Sequence, residues 1–457
     1  MLICIVALYV CCEIHYAATE DYWGDEAFTV RRIQAPWRKL YYPFIDGAAT
    51  TSDPFDLNYV YDFNPPGYFV LARLLLGSQP QRLGLRAISL LSLLATFLLL
   101  YRYALRPLPP IPRILSALLF FSSPAAIYYG HEARPYALGI LCVALALVVC
   151  LHGPLRRGRS VLLALLFCLS LSVHFYTAFA WLGLLVYFSV LQGRRLLARG
   201  VYYPFVAALL AGGAATLLLL WPYRSLPALV KFLPTQPVGG RSVLFALAPP
   251  LQMANAPTWL LSLALPTLVA CLVPLFARRN SSSGSGLCLA VWLLAALGPL
   301  AAHLLGGVSC FDRYALFAFP ALLWLLARGL QASRWVQVPA LLLLAIQVTG
   351  HFPLGASFRP RWRPAIDYVA RHSTAADYYT IDPKWLILCF AANAHVAPPA
   401  RYLALGQPVP LGSTLFLLST TGGSYQATPG SGHSTRRVSL GGEVQVWEIR
   451  NRQSAAP

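Results

Sequence analysis

The sequence predicts an all-α polytopic membrane protein of about eleven transmembrane helices plus juxtamembrane helices. A small C-terminal α/β appendage outside the membrane completes the fold class. Three observations carry this. The 457 residues are 58% hydrophobic and 11% charged, with a mean hydropathy of +0.60, whereas soluble domains run about 45–50% apolar and about 25% charged. The apolar excess comes in blocks of about 15–20 residues, the length that spans a bilayer core. The net charge of +19 sits mostly as arginine in short loops between those blocks, the positive-inside pattern. That placement argues against nucleic acid as the partner, despite a pI near 9.7.

The elements follow in order. "MLICIVALYVCCEIHYAATE" lacks a basic segment ahead of its apolar run, so it reads as a short first span rather than a signal peptide. Segments 102–113, 156–159, 194–199, 278–279 and 328–334 carry arginine and no acid, which places all five in the cytoplasm. The apolar stretches between them then cross the membrane an even number of times. Residues 114–155 would cover about 60 Å as helix, two crossings of a core about 30 Å thick, so the outer turn falls near 128–135. The same reasoning puts outer turns at 173–177 and 306–314, and a longer Pro-rich outer loop at 221–256. "PPGYFVLARLLLG" (65–77) is too short for a span and reads as a juxtamembrane or re-entrant helix. The N-terminus is then inside and the C-terminus outside.

Residues 1–350 thus form the membrane portion, including an outer loop at 19–82, and 351–457 form the outer α/β domain. In that domain "RPAIDYVARH" has helical spacing, and "DYYTID", "TLFLLS" and "VQVWEI" read as strands. "TTGGSYQATPGSGHSTRR" reads as a loop. Five of the ten cysteines, Cys142, Cys150, Cys168, Cys271 and Cys288, lie in apolar blocks and read as small hydrophobes. No Cys/His spacing points to zinc.

Acids are used sparingly. Between Phe63 and Ile366 there are two, Glu132 and Asp312. Apart from Glu13 at the end of the first span, every Asp and Glu falls in a segment assigned outside. The outer turns carry acid, Arg, His and Tyr in varying sets. In "WGDEAFTV" the adjacent Asp25 and Glu26 suit a general base plus an acid that positions substrate or metal. The alternative is a helix N-terminus, where acids complement the dipole. In "DFNPPGYF" two prolines set a rigid turn beside Asn64. In "HEARPYAL" Pro135 starts a helix, and His131, Glu132 and Arg134 precede it. A structural Glu132–Arg134 pair is one reading. A functional site is the other, because ionisable groups at that depth are costly. His174 with Tyr176 suits an interface anchor. Arg313, between Asp312 and Tyr314, suits bidentate phosphate binding.

In this order "WGDEAFTV", "NPPGYF", "LRAISLLSLLATFLLLYRYA", "SSPAAIYYGHEARPYAL" and "FDRYALFAFPALL" resemble the GT-C glycosyltransferases that use polyprenyl-phosphate sugars. The sequence looks most like the bacterial branch containing lipid-A core galacturonosyltransferases and, further off, aminoarabinose transferase and protein O-mannosyltransferases. The resemblance covers roughly residues 1–350. It implies an integral membrane glycosyltransferase of the inner (plasma) membrane whose active site and C-terminal domain are extracytoplasmic. Asp25 would be the catalytic base, with Glu26 beside it and Glu132 as a further catalytic acid. Arg134, Arg313, Asn64, His131, Tyr136 and His174 would bind the donor phosphate and substrate. Two positions depart from the pattern. Asn64 stands where His or Lys usually precedes the Pro-Pro turn and supplies no positive charge, and His131 replaces a usual Gln.

The implied partners are a polyprenyl-phosphate-sugar donor, a glycolipid, glycan or protein acceptor and membrane lipids, with no nucleic acid. No cofactor is assigned, and Asp25 and Glu132 could share a divalent metal ion. Direct attack would invert the anomeric centre. The alternative from another class is a non-catalytic lipid or sugar transporter or flippase, supported by Arg73 and Arg86 flanking segment 65–77. A third is a degenerate family member with an accessory role.

Overall fold

The computed structural model describes residues 1–41, 64–152, 157–191, 202–221, 240–248, 262–277, 283–306, 312–351, 361–382, 387–394, 398–403, 410, 413–420, 433–438 and 444–451. Most of the expected outer loop 221–256, the acids Asp46, Asp53, Asp56 and Asp62, and residues 421–432 of the expected C-terminal loop lie outside the described residues.

The helices run in chain order from α1 (Leu2–Thr19) through α2 (Gly24–Gln34), α3 (Trp37–Tyr41), α4 (Gly67–Leu76) and α5 (Arg82–Leu100). A π turn, Tyr101–Leu105, extends α5 and closes with Arg106 N donating to Tyr101 O at 2.8 Å. Next come α6 (Pro110–Phe121), α7 (Pro124–Gly130), α8 (Tyr136–Leu151), α9 (Arg157–Val173) and α10 (Thr177–Val186). Then follow α11 (Tyr202–Leu220), α12 (Gly240–Leu247), α13 (Ala264–Ala277) and α14 (Ser283–Gly306). A 3₁₀ segment (Asp312–Ala318) leads into α15 (Phe319–Ala332), and α16 (Gln337–His351) closes the helical run. The remainder is α17 (Arg363–His372), β1 (Tyr378–Asp382), α18 (Ile387–Asn393), β2 (Arg401–Tyr402), β3 (Thr414–Thr420), β4 (His433–Val438) and β5 (Val444–Asn451).

Two compact units divide the chain. One comprises Met1–Ala17, Phe63–Leu75 and Gln81–Leu354; the other comprises Ala18–Asp62, Leu76–Pro80 and Gly355–Pro457. In the first unit, α15 is buried almost throughout its length. Leucines of α5 and α14, such as Leu91, Leu98 and Leu304, stay exposed. Among the described residues four helices are long and apolar enough to cross a membrane: Leu2–Thr19, Arg82–Leu105, Gly284–Leu305 and Arg313–Ala332. The pair α6 and α7, bent by 52°, makes a fifth if it counts as one span. Pro124 at the start of α7 explains the bend, because it has no N–H to continue the helix ladder. Seven further apolar helices are 10–17 residues long, short of the roughly 20 residues that a span needs. The turns expected at 128–135, 173–177 and 306–314 coincide with the breaks α7/α8, α9/α10 and α14/3₁₀.

The second unit holds a five-stranded sheet of order β2-β1-β3-β5-β4. β1 pairs parallel with β2 and β3, and β5 pairs antiparallel with β3 and β4. Strand alternation divides its faces: Phe416 and Leu418 enter a core with Trp362, Ile366, Val369 and Phe390, whereas Leu415 and Leu417 pack with Ile449 on the other side. The three expected strands and the "RPAIDYVARH" helix are present. "HSTRRV", the end of the expected loop, is instead β4, because pairing along β5 recruits it. Ala27 of α2 belongs to the sheet core, so the helix bearing Asp25 and Glu26 folds with the C-terminal sheet.

Candidate active site

In the second unit, Asp25 and Glu26 occupy the first turn of α2, with Arg31 and Arg32 in its last. This is the charge order a helix dipole favours. The two acids differ in setting. Glu26 is fully buried, and its carboxylate accepts from Trp23 N at 3.5 Å, one half of a capping box. Asp25 is half-buried. Burial pushes the Cys389 thiol of α18 upward, and the nearby Asp25 and Glu26 carboxylates add to the shift.

The approach to α2 is clamped at both residues before its cap. Asp21 Oδ2 accepts from Trp362 N and Arg363 N, both at 2.9 Å, and Arg363 Nε reaches Asp21 Oδ1 at 3.0 Å. Asn393 accepts from Tyr22 N at 2.8 Å and donates to Tyr22 O at 2.7 Å and Cys389 O at 2.8 Å. One side-chain amide thereby satisfies a backbone donor and an acceptor, as a neighbouring strand would.

In the first unit, four loops meet. His131, Glu132 and Arg134 are all buried, with Glu132 only 1% exposed. Ser89 of α5 holds their turn by donating to Glu132 O at 2.5 Å and Arg134 O at 3.4 Å. Tyr136, which opens α8, packs its ring 5.1 Å from Tyr129 and 5.1 Å from His174. His174 Nδ1 accepts from Tyr176 N at 3.3 Å, which leaves the ring proton on Nε2. The Arg313 guanidinium lies 5.8 Å from the Tyr136 ring and 5.9 Å from that of Tyr314, within cation–π range. Tyr314 stacks on Tyr176 at 4.0 Å. Both Glu132 and Arg313 act electrostatically on Tyr129.

Asn64 is half-buried and precedes the Pro-Pro turn into α4. A Cβ on Gly67 would sit 2.6 Å from Ser172 O, so that turn presses directly on the end of α9, two residues before His174. Gly139 similarly lets the Phe317 ring approach α8. The structure therefore brings Glu132, Tyr136, His174 and Arg313 together, with Asn64 on an adjoining turn and His131 and Arg134 on the turn of Glu132. Arg86 serves elsewhere. It is fully buried, donates to Tyr16 O at 3.4 Å and Ala17 O at 3.1 Å, and so caps the end of α1.

Sequence reasoning missed Glu13, Tyr129, Ser89, Asp21 and Asn393. Glu13 had a signal, as a lone acid inside an apolar span; the others had none at the sequence level. Among the described residues, no group of three or more His, Cys, Asp or Glu side chains is arranged to hold a metal ion.

No family model matches the sequence, and no curated protein matches it. Solved structures do. The chain is similar to ArnT from Cupriavidus metallidurans in the apo state, over 98% of this chain and 97% of that one, at 12% identity and a TM-score of 0.58. It is similar to the same protein bound to undecaprenyl phosphate over 100% and 99%, at 11% identity and a TM-score of 0.57. It also resembles the arabinofuranosyltransferase AftD from Mycobacteria over 98% of this chain and 40% of that one, at 16% identity and a TM-score of 0.50. This chain has the fold of the GT-C glycosyltransferases.

Proposed function

We propose that this chain is an integral membrane glycosyltransferase that transfers a sugar from a polyprenyl-phosphate donor to a glycolipid, glycan or protein acceptor outside the cytoplasm. The observation that carries the reading is the meeting of Glu132, Tyr136, His174 and Arg313, on a fold shared with a protein solved with undecaprenyl phosphate. A half-buried cation beside aromatic rings suits a phosphate that must leave with its charge. The eleven-span reading belongs to this proposal and requires the seven apolar helices of 10–17 residues to cross as well as the four or five longer ones. Orientation rests on the charge asymmetry of the loops.

In this mechanism Asp25 takes the proton of the acceptor hydroxyl or amine as its bond to C1 forms. The C1–O bond to phosphate breaks, and its electron pair leaves on the phosphate. Arg313 and Arg134 stabilise that charge, with Asn64, His131, Tyr136 and His174 supplying polar contacts to donor and substrate. A single displacement inverts C1. Glu26, buried as a cap, holds the helix of the base, and Glu132 orients the cations. The flippase alternative loses Arg86, which is occupied in capping α1.

The test incubates purified protein with labelled polyprenyl-phosphate sugars and membrane extract. Wild type transfers label, whereas Asp25→Asn and Arg313→Gln lose at least about a hundredfold. Equal transfer by Asp25→Asn removes the base.

A further inference from the structure

A second cluster lies at the opposite ends of these helices. Tyr103 of the π turn packs its ring 4.5 Å from His152, the residue after α8, and His152 packs 5.6 Å from Trp324 of α15. Three guanidinium groups surround this aromatic wall. Arg102 lies 5.3 Å from the Tyr103 ring and Arg328 lies 5.8 Å from the Trp324 ring. Arg159 of α9 donates from Nη2 to His152 O at 3.2 Å. All three arginines act on the His152 imidazole.

Nothing nearby in the sequence balances them. The two acids between Phe63 and Ile366 are Glu132 and Asp312. Glu132 precedes α8, and Asp312 opens the 3₁₀ segment before α15. Each is separated from the cluster by about 24 Å of helix. Arg159 Nη1 and Arg328 Nε are buried and find no acceptor among the described residues. Buried guanidinium donors are costly to leave unbonded, so the site calls for an anionic oxygen acceptor.

We propose that Arg102, Arg159 and Arg328 bind the phosphate of an anionic phospholipid headgroup at this membrane face. Arginine suits this role because its planar fork grips phosphate oxygens in pairs. Tyr103 and Trp324 have the amphipathic rings that settle at headgroup depth. The lipid is favoured over free phosphate by α5 itself. Leu91 and Leu98, both exposed, lie seven residues apart on one face that leads to Arg102, a track for an acyl chain ending at a cation. The π turn there fits a functional position.

The full-length protein is purified in detergent and titrated with phosphatidylglycerol or phosphatidylcholine of matched chains, and bound lipid is counted by native mass spectrometry. Wild type holds phosphatidylglycerol more tightly than phosphatidylcholine. Arg159→Gln and Arg328→Gln each weaken phosphatidylglycerol about fivefold, whereas both Arg→Lys variants keep most of the binding and Arg334→Gln keeps all of it. Equal affinity for the two lipids, or loss no greater in Arg328→Gln than in Arg334→Gln, overturns the proposal. Displacement of the lipid by equimolar inorganic phosphate overturns the choice of a lipid. Variants that do not elute as the wild type does are replaced by their Lys counterparts, which must still discriminate the two lipids. No sugar transfer is measured, so the outcome is independent of the proposed enzyme activity.

Discussion

His131 Nδ1 lies 3.0 Å from Glu13 Oε2, and both side chains are fully buried. The acid of the first span is thus joined to the loop that presents Glu132. Tyr16 adds to the contact, with its ring 5.4 Å from that of His131. Removing one partner of a buried hydrogen-bonded pair leaves the other unsatisfied, at a cost of about 1–3 kcal/mol. Glu13→Leu should therefore lower the thermal midpoint of the purified protein sharply, while Glu13→Gln, which keeps a hydrogen-bonding group, should cost less. A double-mutant cycle with His131→Gln decides it: strictly additive effects would mean the two side chains are not coupled.

Gly130 explains how that pair fits. A Cβ there would lie 2.5 Å from both Glu13 Oε2 and Tyr9 Oη. Neither can retreat freely, because Glu13 is held by His131 and Tyr9 donates to Ala126 O at 3.1 Å. Gly130→Ala should destabilise the protein by about 1–3 kcal/mol, read by the same melting experiment. A stability equal to wild type would show that α1 and α7 have slack at this point.

Much of this was legible in advance. Breaks at the expected turns follow from apolar block length and charge sign, both local properties of the sequence. The "EARPYAL" turn was conspicuous because a carboxylate is rare in that setting. Asn393 was invisible. An amide in a seven-residue helix carries no pattern, and its importance comes from Tyr22, 371 positions away. The pairing of β4 was equally hidden, since "HSTRRV" has no apolar alternation and joins the sheet through backbone bonds to β5.

Asn393 and Asp21 give a prediction about position rather than chemistry. Both hold the backbone just ahead of α2, whose first turn carries Asp25. Asn393→Leu leaves Tyr22 N and O without their partner, at about 1–3 kcal/mol. On the proposed mechanism it should lower kcat and leave the KM for donor nearly unchanged, because the base is misplaced while the cation site is untouched. Asn393→Gln should not rescue fully, as its longer chain cannot meet both atoms. A change confined to KM would sink this assignment.

Glu26 and Asp25 should separate in the same assay. Glu26 is buried and caps, so Glu26→Gln preserves an acceptor for Trp23 N. Transfer by that variant should stay within about tenfold of wild type, against the hundredfold or greater loss expected for Asp25→Asn. The reverse order would make Glu26 the base.

Asp377 supplies a pH test of the sheet unit. Burial raises its pKa, but hydrogen bonds from Thr374 and Thr414 outweigh this and leave it below the usual carboxylate value. Its Oδ1 accepts from Thr414 N at 2.9 Å, and Oδ2 accepts from Thr374 N and Oγ1, both at 2.8 Å. A carboxylate with a depressed folded pKa contributes stability above its unfolded value, near 3.9, and loses it as pH falls through the folded value. The melting difference between wild type and Asp377→Asn should therefore be constant above about pH 5 and shrink below about pH 4. Asn keeps an oxygen for Thr414 N but no charge for Thr374, so the part of the difference that vanishes in acid reports the ionised contacts. A difference that persists unchanged to pH 3 would mean that the Asp377 charge does not stabilise the fold.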